Sequence, residues 1–347
     1  MNRDAAKIRH KSEYIGMGEM SRGGLMDMGD KMDKMARRTR ATHQGIWRSM
    51  VFTSILRTLG LCAFISMLAL PLKSYADIDP GQLGLDAVSN FAAYAQGNLT
   101  VNGAATTITG DVGLGPNGTQ NFGADFTING TYRVDNTANN SHGYSDANFT
   151  GGTVVQDLDY VSTTVSSVSA YAASLTPTKT YGTINGNVTI TGNGSNNIIS
   201  VGTISLAGVH TLTLKGGAND VFVLNVANYA AFYQDGPEAG FAPIILSGVA
   251  TNHVLFNLLN TSPTTNALNV TGNNLTLFGT FIAPSASIAI ASDKIYGGVF
   301  AGGNTFTLNS GTITANVFEI PEPSSFALVG ITCLFGLGLW SRRRQRR

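Results

Sequence analysis

The central part of the chain is a succession of short runs in which apolar and polar residues alternate, and this pattern constrains the fold most strongly. Runs such as Val188–Ile190 and Leu212–Leu214 are separated by Asn-Gly pairs such as Asn193-Gly194. Successive side chains of a strand point to opposite faces, so alternation predicts strands with one buried face. Asn and Gly tolerate positive φ and mark turns. We therefore predict a mainly β domain of many short strands.

A repeat within these strands suggests how they are arranged. The segment Phe278–Ala283 recurs 18 residues later as Tyr296–Ala301. A fixed period of this kind is typical of stacked coils, which predicts a parallel β-solenoid. The repeat is not strict elsewhere, so a β-sandwich is the alternative. The residues expected to stack inside the solenoid are Val221, Val223, Ile282, Ile288, Ile290, Val299 and Phe300.

One segment has a helical period instead. After Val154, apolar residues recur at steps of four and three residues, which is the stripe of an amphipathic helix. They are Leu158, Val161, Val165, Val168, Ala172 and Leu175. Asp157 and Asp159 are expected in the first turn, where the helix dipole favours acidic groups, and Pro177 ends the helix. We predict one helix over 155–174 that packs along the β body.

The N-terminal region has the pattern of an export signal. An apolar stretch at 58–72 is followed by Ser74-Tyr75-Ala76, which presents small residues to a signal peptidase. We predict a signal peptide at 50–76, used by the Sec translocon and cleaved between Ala76 and Asp77. Residues 1–49 are rich in Met and mixed charge, and they are either a disordered extension or the result of a wrongly chosen start codon.

The C-terminal region carries a second targeting pattern. Pro321-Glu322-Pro323 is followed by an apolar run that ends at Trp340, and five arginines close the chain. These arginines are Arg342, Arg343, Arg344, Arg346 and Arg347. An apolar helix over 324–340 with arginines behind it is expected in a membrane, with the arginines on the cytoplasmic side. The run Phe326–Trp340 rises only about 22 Å, which is short for a permanent span.

Residues 321–347 resemble the PEP-CTERM sorting signal of Gram-negative bacteria. The resemblance covers the Pro-Glu-Pro triplet, the two serines after it, the Leu/Gly-rich helix and the terminal arginines, in that order. It implies processing by an exosortase-type membrane enzyme, transient anchoring in the inner membrane, and delivery to the cell surface or extracellular matrix. An ordinary tail anchor is the alternative.

The exported domain, 77–320, differs in charge from the two ends. It has four basic and fourteen acidic residues, a formal charge of −10, and no cysteine. Nucleic-acid binding needs clustered Lys and Arg, so this class of partner is excluded. The histidines His142, His210 and His253 are isolated from one another, and Asp111 lies in a Gly-rich turn that it is expected to stabilise. We expect no catalytic set, no cofactor and no metal site.

The order of segments in this domain resembles ice-binding-type β-solenoids and choice-of-anchor A surface domains. The residues that carry the resemblance are Asn90–Ala92, 107–116, Asn219–Leu224, 279–288 and 298–304. The resemblance implies a right-handed parallel β-solenoid with the long helix packed alongside.

Pairs of the form Thr-x-Thr are the most suggestive surface feature, and they occur at 107/109, 189/191, 211/213, 305/307 and 312/314. Alternation puts both threonines of a pair on one face, and stacked pairs would form a regular array of hydroxyl and methyl groups. Thr is also simply a good exposed strand residue, which is the alternative explanation. The candidate ice or ligand face consists of Thr189, Thr191, Thr211, Thr213, Thr305 and Thr307.

Together these features predict a non-enzymatic surface or matrix protein with a structural or adhesive role, whose solenoid contacts extracellular polysaccharide. The alternative is an ice-binding protein that uses its Thr-x-Thr faces. A polysaccharide-active β-helix enzyme is a third hypothesis, which the four basic residues of the domain disfavour.

Overall fold

The computed structural model describes residues 80–139, 148–234, 240–272 and 274–320. The 1–49 extension, the predicted signal peptide with its cleavage site, and the predicted membrane helix with its Pro-Glu-Pro triplet and arginines lie outside these ranges. No helix in the described ranges is both long and apolar enough to cross a membrane.

The described chain forms a parallel β-solenoid. Every strand pair among its 24 strands is parallel, which confirms the solenoid and shows the β-sandwich alternative to be wrong. The coils have three faces. Strand β11 (Asn196–Ala207) turns the corner between two of them, because its first half pairs with one strand and its second half with another.

We call the three faces the helix face, the second face and the third face. The helix face consists of β9 (Lys179–Ile184), the first half of β11, β13 (Val221–Val226), β16 (Val254–Leu258), β19 (Thr280–Ala283), β22 (Val299–Ala301), β1 (Phe91–Ala95), β4 (Asp111–Leu114), β7 (Tyr132–Asp135) and β8 (Thr153–Gln156). The second face consists of the second half of β11, β14 (Ala230–Tyr233), β17 (Asn266–Thr271), β20 (Ser287–Ala291), β23 (Thr305–Asn309), β2 (Asn98–Asn102) and β5 (Thr119–Phe122). The third face consists of β10 (Val188–Thr191), β12 (Leu212–Lys215), β15 (Ile244–Ser247), β18 (Thr276–Phe278), β21 (Lys294–Tyr296), β24 (Thr312–Thr314), β3 (Thr106–Thr109) and β6 (Phe126–Asn129).

The coils are not stacked in chain order. The N-terminal strands β1, β2 and β3 pair with β22, β23 and β24 at the C-terminal end, with Ala93 opposite Val299 and Leu99 opposite Phe306. The N-terminal segment is therefore a set of coils that extends the solenoid beyond its C-terminal strand. The chain returns from β8, at one end of the stack, to β9 at the other.

The repeat of 18 residues corresponds to one coil. Phe281 lies opposite Val299, and Phe278 lies opposite Tyr296, as the sequence spacing predicts. Gly279 and Gly297 occupy equivalent corners with φ of +115° and +153°. A Cβ atom at Gly297 would lie 1.9 Å from the Gly279 carbonyl oxygen, so the corner needs glycine for its φ and for the close approach of the next coil.

A helix of 16 residues, α2 (Asp159–Ser174), packs along the helix face; a single turn, α1 (Pro80–Leu83), precedes the first coil. The end of α2 at Ser174 agrees with the sequence prediction. The start of α2 differs from the prediction: the helix begins at Asp159, because Val155 belongs to β8. The Asp157 carboxylate accepts a hydrogen bond from the Asp159 N–H at the first turn. The predicted stripe is buried at Leu158, Val161, Val165, Val168 and Ala172.

Two hydrophobic cores result, one inside the coils and one between the coils and α2. Ile288, Ile290 and Val299 lie in the inner core, as predicted. The other four residues predicted to stack inside are buried but belong to the core beneath α2; they are Val221, Val223, Ile282 and Phe300. The prediction of their burial is confirmed, and the prediction of their direction is wrong. A strand buried on both sides shows no alternation, so the sequence pattern could not distinguish the two cores.

A buried polar ladder joins α2 to the coils. Asn257 is fully buried, accepts a hydrogen bond from the Ser169 hydroxyl (2.6 Å) and donates to the Ser169 carbonyl (3.0 Å). It also donates to the Asn225 side-chain oxygen (2.8 Å), and Asn225 donates to the Ala172 carbonyl (2.7 Å). These directional contacts fix the position of the helix along the coils, which apolar contact alone would leave free to slide.

The last described residues form a C-terminal strap, 315–320, that lies against the same core. Val317 and Phe318 are buried with the α2 stripe, and the Phe318 N–H donates to the Thr280 hydroxyl (2.7 Å). The Glu319 N–H donates to the Asn252 carbonyl (2.7 Å), and the Asn252 side chain donates to the Glu319 carboxylate (2.9 Å).

Replacing Asn257 with alanine should destabilise the domain by about 2–4 kcal/mol, because the Ser169 hydroxyl and the side-chain oxygen of Asn225 would lose their buried hydrogen-bond partner. Urea unfolding followed by circular dichroism measures the change. The matched control is Asn309→Ala at an exposed strand position, which should stay within about 0.5 kcal/mol of the parent. Equal effects for the two variants would contradict a structural role for the ladder.

Candidate binding faces

The third face carries most of the Thr-x-Thr pairs and brings several into register. Thr189 lies directly opposite Thr213 on the next coil. Thr312 lies opposite Thr107, which lies opposite Thr127, and Thr314 lies opposite Thr109. Five threonines on three adjacent coils therefore form a compact array, because facing residues on neighbouring strands share one side of the sheet.

The predicted Thr set is divided by the structure. Thr189, Thr191 and Thr213 share the third face, whereas Thr305 and Thr307 lie on β23 in the second face. Thr211 precedes β12, and its N–H donates to the Asn187 side chain (2.9 Å). The densest array, around Thr107 and Thr312, lies outside the six residues of the predicted face, although both residues belong to Thr-x-Thr pairs. These two residues lie about 200 positions apart in the sequence, so only the stacking of N-terminal on C-terminal coils brings them together.

The middle of the third face is not a threonine array. Ile245 is 39% exposed and Tyr296 is 41% exposed, and the Phe278 and Tyr296 rings stack with centroids 5.6 Å apart. Lys215 and Lys294 also point outward there. Bulky and charged side chains make this region uneven, in contrast to the threonines at its two ends.

The second face is neutral and lined by small residues. Ser205, Ala231, Asn269, Ala289, Thr307, Thr100 and Asn121 follow one another on successive coils, each opposite the next. No charged side chain points outward from the strands of this face within the described ranges. The second face is thus smoother than the third.

Three carboxylates meet where α2 begins. Ligand atoms of Asp135, Asp157 and Asp159 all lie within 4.8 Å of one another. The Asp135 carboxylate accepts hydrogen bonds from the N–H groups of Thr137 and Leu158, both at 2.8 Å. Burial alone would raise the pKa of Asp135, but a hydrogen bond from the Thr137 hydroxyl (2.6 Å), together with these two backbone bonds, outweighs burial and holds the pKa below the usual range. The group therefore fixes the entry into the helix, and Asp135 is a member that the sequence did not indicate.

Two further aspartates stabilise the coils. Asp111, predicted to support a turn, accepts from the Thr131 N–H (2.8 Å) and pairs with the Arg133 guanidinium (2.6 Å) on the next coil. Asp220 lies at a corner, where burial would raise its pKa. Hydrogen bonds from the Gly217 and Gly194 N–H groups and from Asn197 lower the pKa instead.

The pKa of Asp293 is raised, in contrast to the lowered pKa values of Asp135 and Asp220. Asp293 is buried at the corner before β21, and one carboxylate oxygen accepts from the Leu275 N–H (2.8 Å), while the other has no hydrogen-bond partner among the residues that the structure describes. Burial raises the pKa of Asp293 to about 7, and the hydrogen bonds from the Leu275 and Gly272 N–H groups oppose this only in part. The carboxyl group of Asp293 therefore exchanges its proton close to neutral pH.

The described histidines do not form a catalytic or metal-binding group. His210 lies in the turn before β12, and His253 lies in a short helical turn before β16. Burial lowers the pKa of His253. Within the described ranges, the carboxylates at the start of α2 are the one group of His, Cys, Asp and Glu side chains with metal-ligand spacing.

Comparison with known proteins gives two matches along the chain. A family model described as a putative ice-binding-like adhesive domain matches residues 81–315, and the PEP-CTERM protein-sorting motif matches residues 319–346. The comparison with curated proteins finds no match.

Among solved structures, an ice-binding protein from an Antarctic biological consortium is 21% identical, with a TM-score of 0.48, covering 68% of this chain and 91% of that one. An ice-binding protein from an Antarctic Flavobacteriaceae bacterium is 22% identical, with a TM-score of 0.47, covering 67% and 47%. An ice-binding protein from an Arctic yeast is 15% identical, with a TM-score of 0.44, covering 71% and 99%.

The stability of the domain should fall between pH 5 and pH 8 because of Asp293. Its folded pKa lies above the unfolded value of about 4, so the folded state holds a proton that the unfolded state releases, and this stabilisation is lost as pH rises through 7. Between pH 5 and pH 8, the free energy of unfolding of Asp293→Asn should therefore fall by about 2–4 kcal/mol less than that of the parent. Urea unfolding at both pH values measures the difference. Asp125→Asn, at an exposed turn, is the matched control, and parallel pH profiles for parent and Asp293→Asn would show the inference to be wrong.

Proposed function

The chain belongs to the family of putative ice-binding-like adhesive domains and ends in a PEP-CTERM sorting motif, and we propose on this basis that it is a non-enzymatic adhesive protein of the cell surface or extracellular matrix. The motif indicates export and surface sorting. In this role the domain contributes to the structure or adhesion of a polysaccharide-rich matrix.

The observation that carries this proposal is the presence of two large faces of the solenoid that α2 leaves uncovered. The second and third faces each run across at least seven stacked coils, and α2 covers neither of them. A polar surface of this length suits contact with an extended or repetitive partner. In the described ranges, the titratable side chains that lie close together are used to hold turns and the start of α2, which supports a binding role over a catalytic one.

In the route that we propose, the Sec translocon exports the chain and signal peptidase cleaves between Ala76 and Asp77. The helix at 324–340 then holds the protein in the inner membrane, with the terminal arginines on the cytoplasmic side. An exosortase-type enzyme reads Pro321-Glu322-Pro323 and removes the tail, which releases the domain to the surface.

Replacing Pro321, Glu322 and Pro323 with alanines should leave the full-length protein in the inner membrane, because the processing enzyme would no longer recognise the tail. Cell fractionation and immunoblotting measure the size and location of the protein. Asn309→Ala, in the exported domain, is the control and should be sorted like the parent. Normal shortening and release of the triple-alanine variant would refute the sorting route.

Ice binding is the second candidate function, favoured by the register of Thr107, Thr312 and Thr127 on adjacent coils. Regular arrays of threonine hydroxyl and methyl groups are suited to an ordered water surface. The uneven middle of the third face, with Tyr296 and Lys294, weighs against this use of the whole face.

If the protein binds ice, purified residues 77–320 should show thermal hysteresis, measured by nanolitre osmometry. Thr107→Tyr with Thr312→Tyr should abolish the effect if the third face is used, and Thr100→Tyr with Thr307→Tyr should abolish it if the second face is used. An absence of hysteresis at millimolar protein, or hysteresis unaffected by both pairs, would eliminate the proposed ice-binding faces.

A further inference from the structure

The few basic residues of this acidic domain are distributed unevenly. Residues 77–320 contain only Arg133, Lys179, Lys215 and Lys294 as Lys or Arg. Arg133 is neutralised by Asp111 on the helix face. Lys215 and Lys294 point outward from the third face, and the Lys179 ammonium group donates to the Thr191 carbonyl at the end of the same face (2.8 Å). All three unpaired lysines of the domain therefore lie on or beside one face.

Among the residues that the structure describes, the strands of the third face carry no outward acidic side chain to neutralise these lysines. These strands expose Thr, Ser, Asn, Ile, Phe, Tyr and Lys side chains and no carboxylate. Asp220 and Asp293 lie at its corners but are buried, and Asp125 lies in the turn before β6 at the far end of the stack. In a domain with a formal charge of −10, this is a local positive surface that attracts anions while the rest of the body repels them.

The spacing of the lysines suits an extended polymer. Lys215 on β12 and Lys294 on β21 are three coil steps apart, which is about 14 Å along the stack at the usual spacing of about 4.8 Å between strands. Ile245 on β15 and Phe278 on β18 lie on the coils between them, and Tyr296 lies on the same strand as Lys294; the apolar surfaces of all three are partly exposed. The outward hydroxyls of Thr213, Ser247 and Thr276 lie in the same region.

We propose that the third face binds an anionic polysaccharide of the uronic-acid type, an inference that rests on the adhesive function proposed above and names its partner. The lysine ammonium groups pair with carboxylates along the polymer, the hydroxyl groups bond to sugar hydroxyls, and the Tyr296 and Phe278 surfaces contact the apolar C–H groups of the rings. The chain of sugars runs along the stack of coils, across β12, β15, β18 and β21.

The charge density favours this partner over a nucleic acid. Duplex DNA carries one phosphate per about 1.7 Å of axis and calls for many closely placed Lys and Arg, whereas the third face offers three lysines over about 20 Å. A polyuronate has one carboxylate per sugar ring and many hydroxyl groups, which matches a face with few cations and many hydroxyls. The threonine-rich ends of the face extend the hydroxyl surface beyond the lysines.

The test is binding of the exported chain, which begins at Asp77 and keeps its tail, to immobilised polygalacturonate by biolayer interferometry in detergent micelles. All proteins carry the five terminal arginines replaced by glutamine, so that the tail does not bind the polyanion. The test variant is Lys215→Gln with Lys294→Gln. The matched control is Thr271→Glu with Asn309→Glu, two exposed positions on the second face, which changes the net charge by the same amount.

We expect the lysine variant to bind at least tenfold more weakly than the parent and the control variant to stay within twofold. Binding of the parent should weaken with added salt and be at least tenfold weaker to neutral dextran. Equal loss in both variants, unchanged binding of the lysine variant, tighter binding to duplex DNA than to polygalacturonate, or equal binding to dextran would each overturn the proposal. Failure here leaves the sorting of the triple-alanine variant unaffected, so the partner and the sorting route are tested separately.

Discussion

The pairing of β1, β2 and β3 with β22, β23 and β24 is the contact on which the rest of the structure depends. It joins segments about 200 residues apart into one continuous stack, and it buries the edges that each half would otherwise expose. Because it joins the two halves, it also creates the array of Thr107, Thr312 and Thr127 on the third face. The same pairing sends the connection from β8 to β9 along the whole stack.

That long connection explains why one face is covered and two are free. The chain must return from one end of the solenoid to the other, and α2 spans about 24 Å of this distance. Its apolar stripe demands burial, which the helix face supplies through Val221, Val223 and Ile282. The ladder of Asn225, Asn257 and Ser169 then sets where the helix lies. The second and third faces remain available for partners as a consequence of topology.

Much of this could be predicted from the sequence, because local patterns have local causes. The strands, the turns at Asn-Gly, the coil of 18 residues and the stripe of α2 all follow from periodicity. Periodicity does not predict the register between distant segments. The predicted face therefore combines Thr305 and Thr307 with Thr189, although they lie on different faces of the solenoid. The roles of Asp135 at the start of α2 and of the buried Asn257 in the polar ladder could not be predicted either, since a single polar residue in a strand has no periodic pattern.

The C-terminal strap leaves almost no spacer between the folded body and the sorting triplet. Glu319, bonded to Asn252 through both its backbone and its side chain, is already the first residue of the matched motif. Pro321 follows two residues later, within about 7 Å of chain length. A processing enzyme that grips the triplet must therefore either fit against the surface of the solenoid or pull Phe318 and Glu319 away from it. In the sorting route proposed above, the stability of these last contacts of the fold therefore affects how readily the processing enzyme reaches the triplet.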